Sequence, residues 1–88
     1  MKFAIIDGYA VTSMEDVHRT LADQLSFPEW YGGNLDALYD CLTELHEDAE
    51  VSIVHPEALL ETLGPAYSRL CRVLRDSAEE NPYLKLRL

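Results

Sequence analysis

Between Thr20 and Ser68 the chain has no lysine and no arginine. Cations are scarce throughout: 7 Lys+Arg stand against 16 Asp+Glu, a formal charge of −9 over 88 residues. A chain so short of positive charge cannot neutralise a phosphate backbone, which excludes a general nucleic-acid binder. Anionic lipid would repel it as well, so no membrane partner is expected. Long apolar runs are also missing. The opening Phe3-Ala4-Ile5-Ile6 is cut off by Asp7-Gly8, and no stretch approaches the roughly 20 apolar residues of a membrane span. No targeting segment is therefore expected, and a cytoplasmic protein is the simplest reading. The only cysteines, Cys41 and Cys71, form no CxxC and no Cys/His spacing, so no metal is expected. Both fall on the apolar faces of predicted helices, where a reduced thiol acts as a small hydrophobe. Whether they can pair stays open. Neither an internal repeat nor a low-complexity linker is present.

What the chain does have is apolar content, 48% of residues, enough for one small core and too few residues for two. Lys2 to Ile6 reads as a short strand ended by a turn pair. Thr12 or Ser13 can cap a helix to about Leu25, with Glu15 or Asp16 as the reciprocal partner. Its buried stripe is Met14, Val17, His18, Leu21 and Leu25. After Pro28 comes an aromatic, glycine-containing loop, then Asn34 as cap of a second helix reaching about His46. Val51–Val54 is a second strand, and Pro56 opens a short helix ending near Gly64. Pro65 opens another, with the stripe Tyr67, Leu70, Cys71, Leu74 and Ala78, stopped by Asn81-Pro82. Tyr83 to Leu88 alternates apolar and polar as a last strand. Strands separated by helices pair in parallel, so the expected fold is α/β: one domain over residues 1–88, a three-stranded parallel sheet packed by about four helices. Strand order stays open.

The cation-free stretch holds ten Asp/Glu. Solvated faces usually mix signs, because neighbouring like charges on a helix repel. Solubility is the plain explanation for a one-signed surface. The second helix sharpens the question. At about 100° per residue, Asp36, Asp40, Thr43 and Glu47 fall within an arc of roughly 60°, with Glu44 beside them. Leu35, Leu38, Leu42 and Leu45 take the opposite side, and Tyr39 lies on the boundary. Trp30 and Tyr31 can flank the acidic stripe from the loop. Large aromatics beside unpaired carboxylates have the composition of a surface that binds a basic partner.

Trp30-Tyr31-Gly32-Gly33-Asn34-Leu35-Asp36-Ala37-Leu38-Tyr39-Asp40-Cys41-Leu42-Thr43 resembles the signature of the barstar family. Val17-His18-Arg19-Thr20-Leu21 and Val73-Leu74-Arg75-Asp76 extend the likeness to the first and last helices. The resemblance implies an intracellular inhibitor of a small, basic, secreted ribonuclease of the barnase type, bound 1:1 by a protein that is a monomer when free. It further implies that the second helix and its preceding loop plug the enzyme's active site. Asp40 would enter the pocket for the scissile phosphate, and Asp36 would meet a donor at the rim. Trp30 and Tyr31 would pack near the catalytic histidine, Asn34, Tyr39 and Thr43 would complete the patch, and Asp76 would meet the enzyme's positive surface. Two features depart from the pattern. Tyr39 replaces a Trp, and Glu44-Leu45 stand where the family has Gly then Trp, which predicts a second helix running a further turn with an added anionic contact at Glu44.

Two rival readings compete with this one. Asp36 and Asp40 could form an acid/base pair, but no cofactor, nucleotide or metal signature accompanies them, so no enzymatic activity is expected. Cys41 and His46 would point about 140° apart on one continuous helix, too far for a nucleophile and its base. The other rival is an immunity or binding module of the same fold for a different basic toxin or nucleic-acid-processing protein. Among the remaining polar residues, His18 reads as a hydrogen-bonded core histidine and His46 and His55 as solvated element ends. Arg69, Arg72 and Arg75 read as a solvated ridge on the last helix.

Overall fold

The computed structural model describes all residues, 1–88. Its elements run β1 (Lys2–Asp7), α1 (Met14–Leu25), α2 (Leu35–Thr43), β2 (Ala49–Val54), α3 (Pro56–Leu63), α4 (Pro65–Glu80) and β3 (Leu84–Arg87). The three strands form one parallel sheet in the order β1-β2-β3. The expected α/β architecture is the observed one, and strand order follows chain order.

Register explains the core. Val51 lies between Ala4 on one side and Leu86 on the other, and Ile6 lies opposite Ile53. These residues share one face with Ala49 and Leu84, and that face is buried against the helices. The alternate positions Phe3 and Ile5 are 56% and 51% exposed. A parallel sheet usually has both faces covered; here one is left open, so the apolar run at positions 3–6 is buried only at every second residue. The free edge of β1 is closed by α1, where Gln24 Oε1 accepts the Ile5 N–H at 2.9 Å.

Helix α1 buries Val17, His18, Leu21 and Leu25, as its spacing requires. Ser13 caps it, accepting from the Asp16 N–H at 3.2 Å. The returning carboxylate of Asp16 accepts from the Thr12 hydroxyl and from the Thr12 N–H, which holds its pKa below the ordinary carboxylate range. Thr12 and Ser13 thus both take part in the start signal. Helix α4 buries Leu70, Cys71, Leu74 and Ser77. Tyr67 and Ala78 are only half-buried.

Gly8 sits where β1 leaves the sheet and crosses the start of α3. A Cβ there would stand 2.1 Å from the His55 carbonyl oxygen, so only glycine fits. Next to this crossing, Asp7 accepts from the Tyr9 N–H at 2.9 Å and lies 3.0 Å from His55 Nδ1, while the rings of Tyr9 and His55 stack at 3.9 Å. No helix is long and apolar enough to cross a membrane.

Candidate functional site

The loop joining α1 to α2 is fixed at both ends. At its start, Ser26 adopts left-handed geometry (φ 57°), and the Phe27 N–H reaches back to the Ala22 carbonyl at 3.0 Å, closing α1 with a Schellman turn. Tyr31 then turns inward. Its ring packs on Phe27 (centroids 4.9 Å apart), and its hydroxyl bonds to His18 Nδ1. Burial pushes the Tyr31 pKa well above that of an ordinary phenol and the His18 pKa below 6.5. A protonated phenol therefore donates to a neutral imidazole. With Tyr31 anchored, its neighbour Trp30 is displayed at the surface, 62% exposed.

Helix α2 starts at Asn34, whose Oδ1 accepts from the Ala37 N–H at 2.8 Å. Gly33 precedes it with φ 69°, a conformation glycine takes without strain. The helix buries Leu38, Cys41 and Leu42 and packs mainly on α4, leaving Asp36, Asp40 and Glu44 exposed. None of these three carboxylates, nor that of Asp76, belongs to any of the molecule's ion pairs. Asp36 gains from the positive end of the helix; Asp40 and Glu44 gain little.

The far end of α2 differs from expectation. The helix stops at Thr43 instead of running on towards His46. Asn81, buried after α4, supplies the physical reason: its amide donates to the Leu42 carbonyl (2.9 Å), which the His46 N–H would take in a longer helix, and to the Leu45 carbonyl (3.1 Å), which holds the chain as it leaves α2. Thr43 Oγ1 donates to the Tyr39 carbonyl at 2.8 Å. Glu47 consequently leaves the predicted arc and pairs with Lys2 at 3.0 Å. The acidic ridge that remains is Asp36, Asp40 and Glu44.

Depressions border this ridge on both sides. Towards α4, Tyr39, Asp76, Glu79 and Glu80 line a hollow of about 350 Å³, where burial and the charges of Glu80, Asp76 and Asp40 raise the Tyr39 pKa. Towards the loop, a groove of about 400 Å³ runs between Trp30 and Glu44. The nine residues singled out from sequence thus stand in one region: six on or capping α2, two on its loop and Asp76 across the hollow. A sequence model of the family described as "Barstar (barnase inhibitor)" matches residues 1–86. The chain belongs to the barstar family. One relative, from Bacillus subtilis (strain 168), bears the name "Putative ribonuclease inhibitor YrdF" and is 54% identical over 43 residues. That match covers 49% of this chain and 47% of the relative, about half of its length.

Barstar-family membership leaves open what Cys41 could do beside this ridge. Because α2 stops early, the helical angle between Cys41 and His46 no longer separates them, and both border the groove. Burial does the separating instead. Cys41 is 5% exposed, and burial together with Glu44 and Asp40 raises its pKa, so the thiol stays protonated and poorly nucleophilic. Cys41 and Cys71 are both free and buried. The sequence shows His18 as a hydrogen-bonded core histidine and Tyr31 as a loop aromatic, but not the bond between them, nor the hold of Asn81 on the end of α2. In the sequence Asn81 is only a stop signal, and no local pattern reveals a partner 39 residues away.

Proposed function

We propose that this barstar-family protein is an intracellular inhibitor of a basic ribonuclease of the barnase type, plugging the enzyme's active site 1:1 with the acidic face of α2 and the Trp30 loop. An enzyme that cleaves RNA must hold cations where phosphate binds. A carboxylate on a rigid helix can occupy those cations and offers no bond to cleave. The observation that carries this reading is that Asp36 and Asp40 are exposed and unpaired on a helix tethered at both ends, by Asn34 and Asn81. Asp40 enters the phosphate pocket, Asp36 and Thr43 bind at its rim, Tyr39 and Asp76 face the enzyme's positive surface, and Trp30 packs on the enzyme. Family membership and the relative's name support ribonuclease inhibition in general.

Titrating a barnase-type ribonuclease with the protein, while following RNA cleavage, tests the reading. Activity is expected to fall linearly to zero at one equivalent, and the protein alone should cleave nothing. Undiminished cleavage in excess protein would contradict it and favour a different basic client on the same surface.

A further inference from the structure

The groove beside α2 has a chemistry of its own. Its floor is apolar along Phe27 and Leu45, the exposed indole of Trp30 forms one wall, and Lys2 closes one end, its Nζ 3.4 Å from the carbonyl of buried Leu25. Two carboxylates border it, but they are not equivalent. Glu47 is already neutralised by Lys2 at 3.0 Å, whereas Glu44 has no ion-pair partner. The groove therefore presents one uncompensated negative charge over a greasy floor, beside an open aromatic face. Resting on the inhibitor reading, we propose that it receives one arginine side chain of the ribonuclease.

Arginine matches each part of this lining. Its aliphatic stem covers the Phe27–Leu45 floor, its planar guanidinium stacks on Trp30, and its fork pairs with Glu44. A lysine ammonium is compact and more strongly hydrated, so it gains less from a half-apolar groove. A purely apolar side chain would shield Glu44 from water and give it no partner. One free carboxylate calls for one cation. The groove adjoins the Asp36–Asp40 ridge through Glu44, so the arginine would come from a loop beside the enzyme's phosphate pocket and would select among basic ribonucleases.

Trp30 is the chain's only tryptophan, so intrinsic fluorescence reports on the groove without a label. The free protein is titrated with N-acetyl-arginine methylamide, with the lysine and norleucine analogues in parallel. A weak, saturable change is expected for arginine, a smaller one for lysine and none for norleucine. Glu44→Gln should weaken the arginine response about fivefold, the size of an exposed ion pair, while Glu57→Gln on α3 should leave it unchanged. No saturable response, an equal response to norleucine, or indifference to Glu44→Gln would overturn the assignment. A parallel RNA-cleavage titration separates this outcome from failure of the inhibitor reading. Inhibition without an arginine response overturns the groove assignment alone. An arginine response with no ribonuclease inhibited overturns the inhibitor reading, and with it the ribonuclease as the source of the arginine.

Discussion

His18 has a single polar partner, the Tyr31 hydroxyl, and a pKa held below 6.5 by burial. The unfolded chain therefore takes up a proton at a higher pH than the folded one, and stability must fall as pH drops from about 6.5 through the folded-state value. Urea unfolding at pH 7.5 and 5.5 is expected to show a loss on acidification that shrinks in His18→Gln. An equal loss in both proteins would mean that another group carries the effect. The same bond holds the loop that displays Trp30, so acid should slacken the candidate binding surface before the core unfolds. At this scale the sequence was legible in part. A helical wheel suffices to expose Asp36 and Asp40, because it needs only the 100° step. It cannot show that Tyr31 turns inward while Trp30 turns outward, because that choice is made by His18, 13 residues earlier.

Elements were easier to read than their ends. The caps Ser13 and Asn34, and the prolines opening α3 and α4, were legible because each acts on its own helix's first turn. The end of α2 was not, because it is set by Asn81 from another element. Asn81→Ala removes two hydrogen bonds donated to carbonyls and the one that its Oδ1 accepts from the Tyr83 N–H at 3.0 Å. A cost of about 2–4 kcal/mol is expected in chemical denaturation. Hydrogen exchange should quicken at the C-terminal turn of α2; unchanged protection there would show that Asn81 does not hold it. The opposite effect is expected at Ser26, which occupies left-handed geometry (φ 57°) with no side-chain bond to offset the strain. Ser26→Gly should stabilise the protein by about 1 kcal/mol, seen as a higher melting temperature; a lower one would contradict the strain.

Across the whole molecule, charge and hydrophobicity are segregated. Cations are confined to Lys2, Arg19, the α4 ridge Arg69–Arg72–Arg75 and β3, while the 20–68 stretch carries only acids. The succession of strands and helices along the chain followed from pattern alone, yet neither their order in the sheet nor the open sheet face at Phe3 and Ile5 did, since a short apolar run reads the same whether one face or two are covered. The one-signed surface implies long-range attraction to a basic enzyme. Its association rate constant is expected to fall at least about tenfold between low and high salt, where the screening length shrinks from roughly 30 Å to 3 Å. A rate indifferent to salt would remove steering as a reason for the surface. The most direct measurement compares the affinity of Asp40→Asn and Asp48→Asn for a barnase-type ribonuclease, in proteins of unchanged melting temperature. Removing the charge that stands in for phosphate should weaken binding at least about a hundredfold, and removing the remote one no more than about threefold. Equal losses would contradict phosphate mimicry by α2.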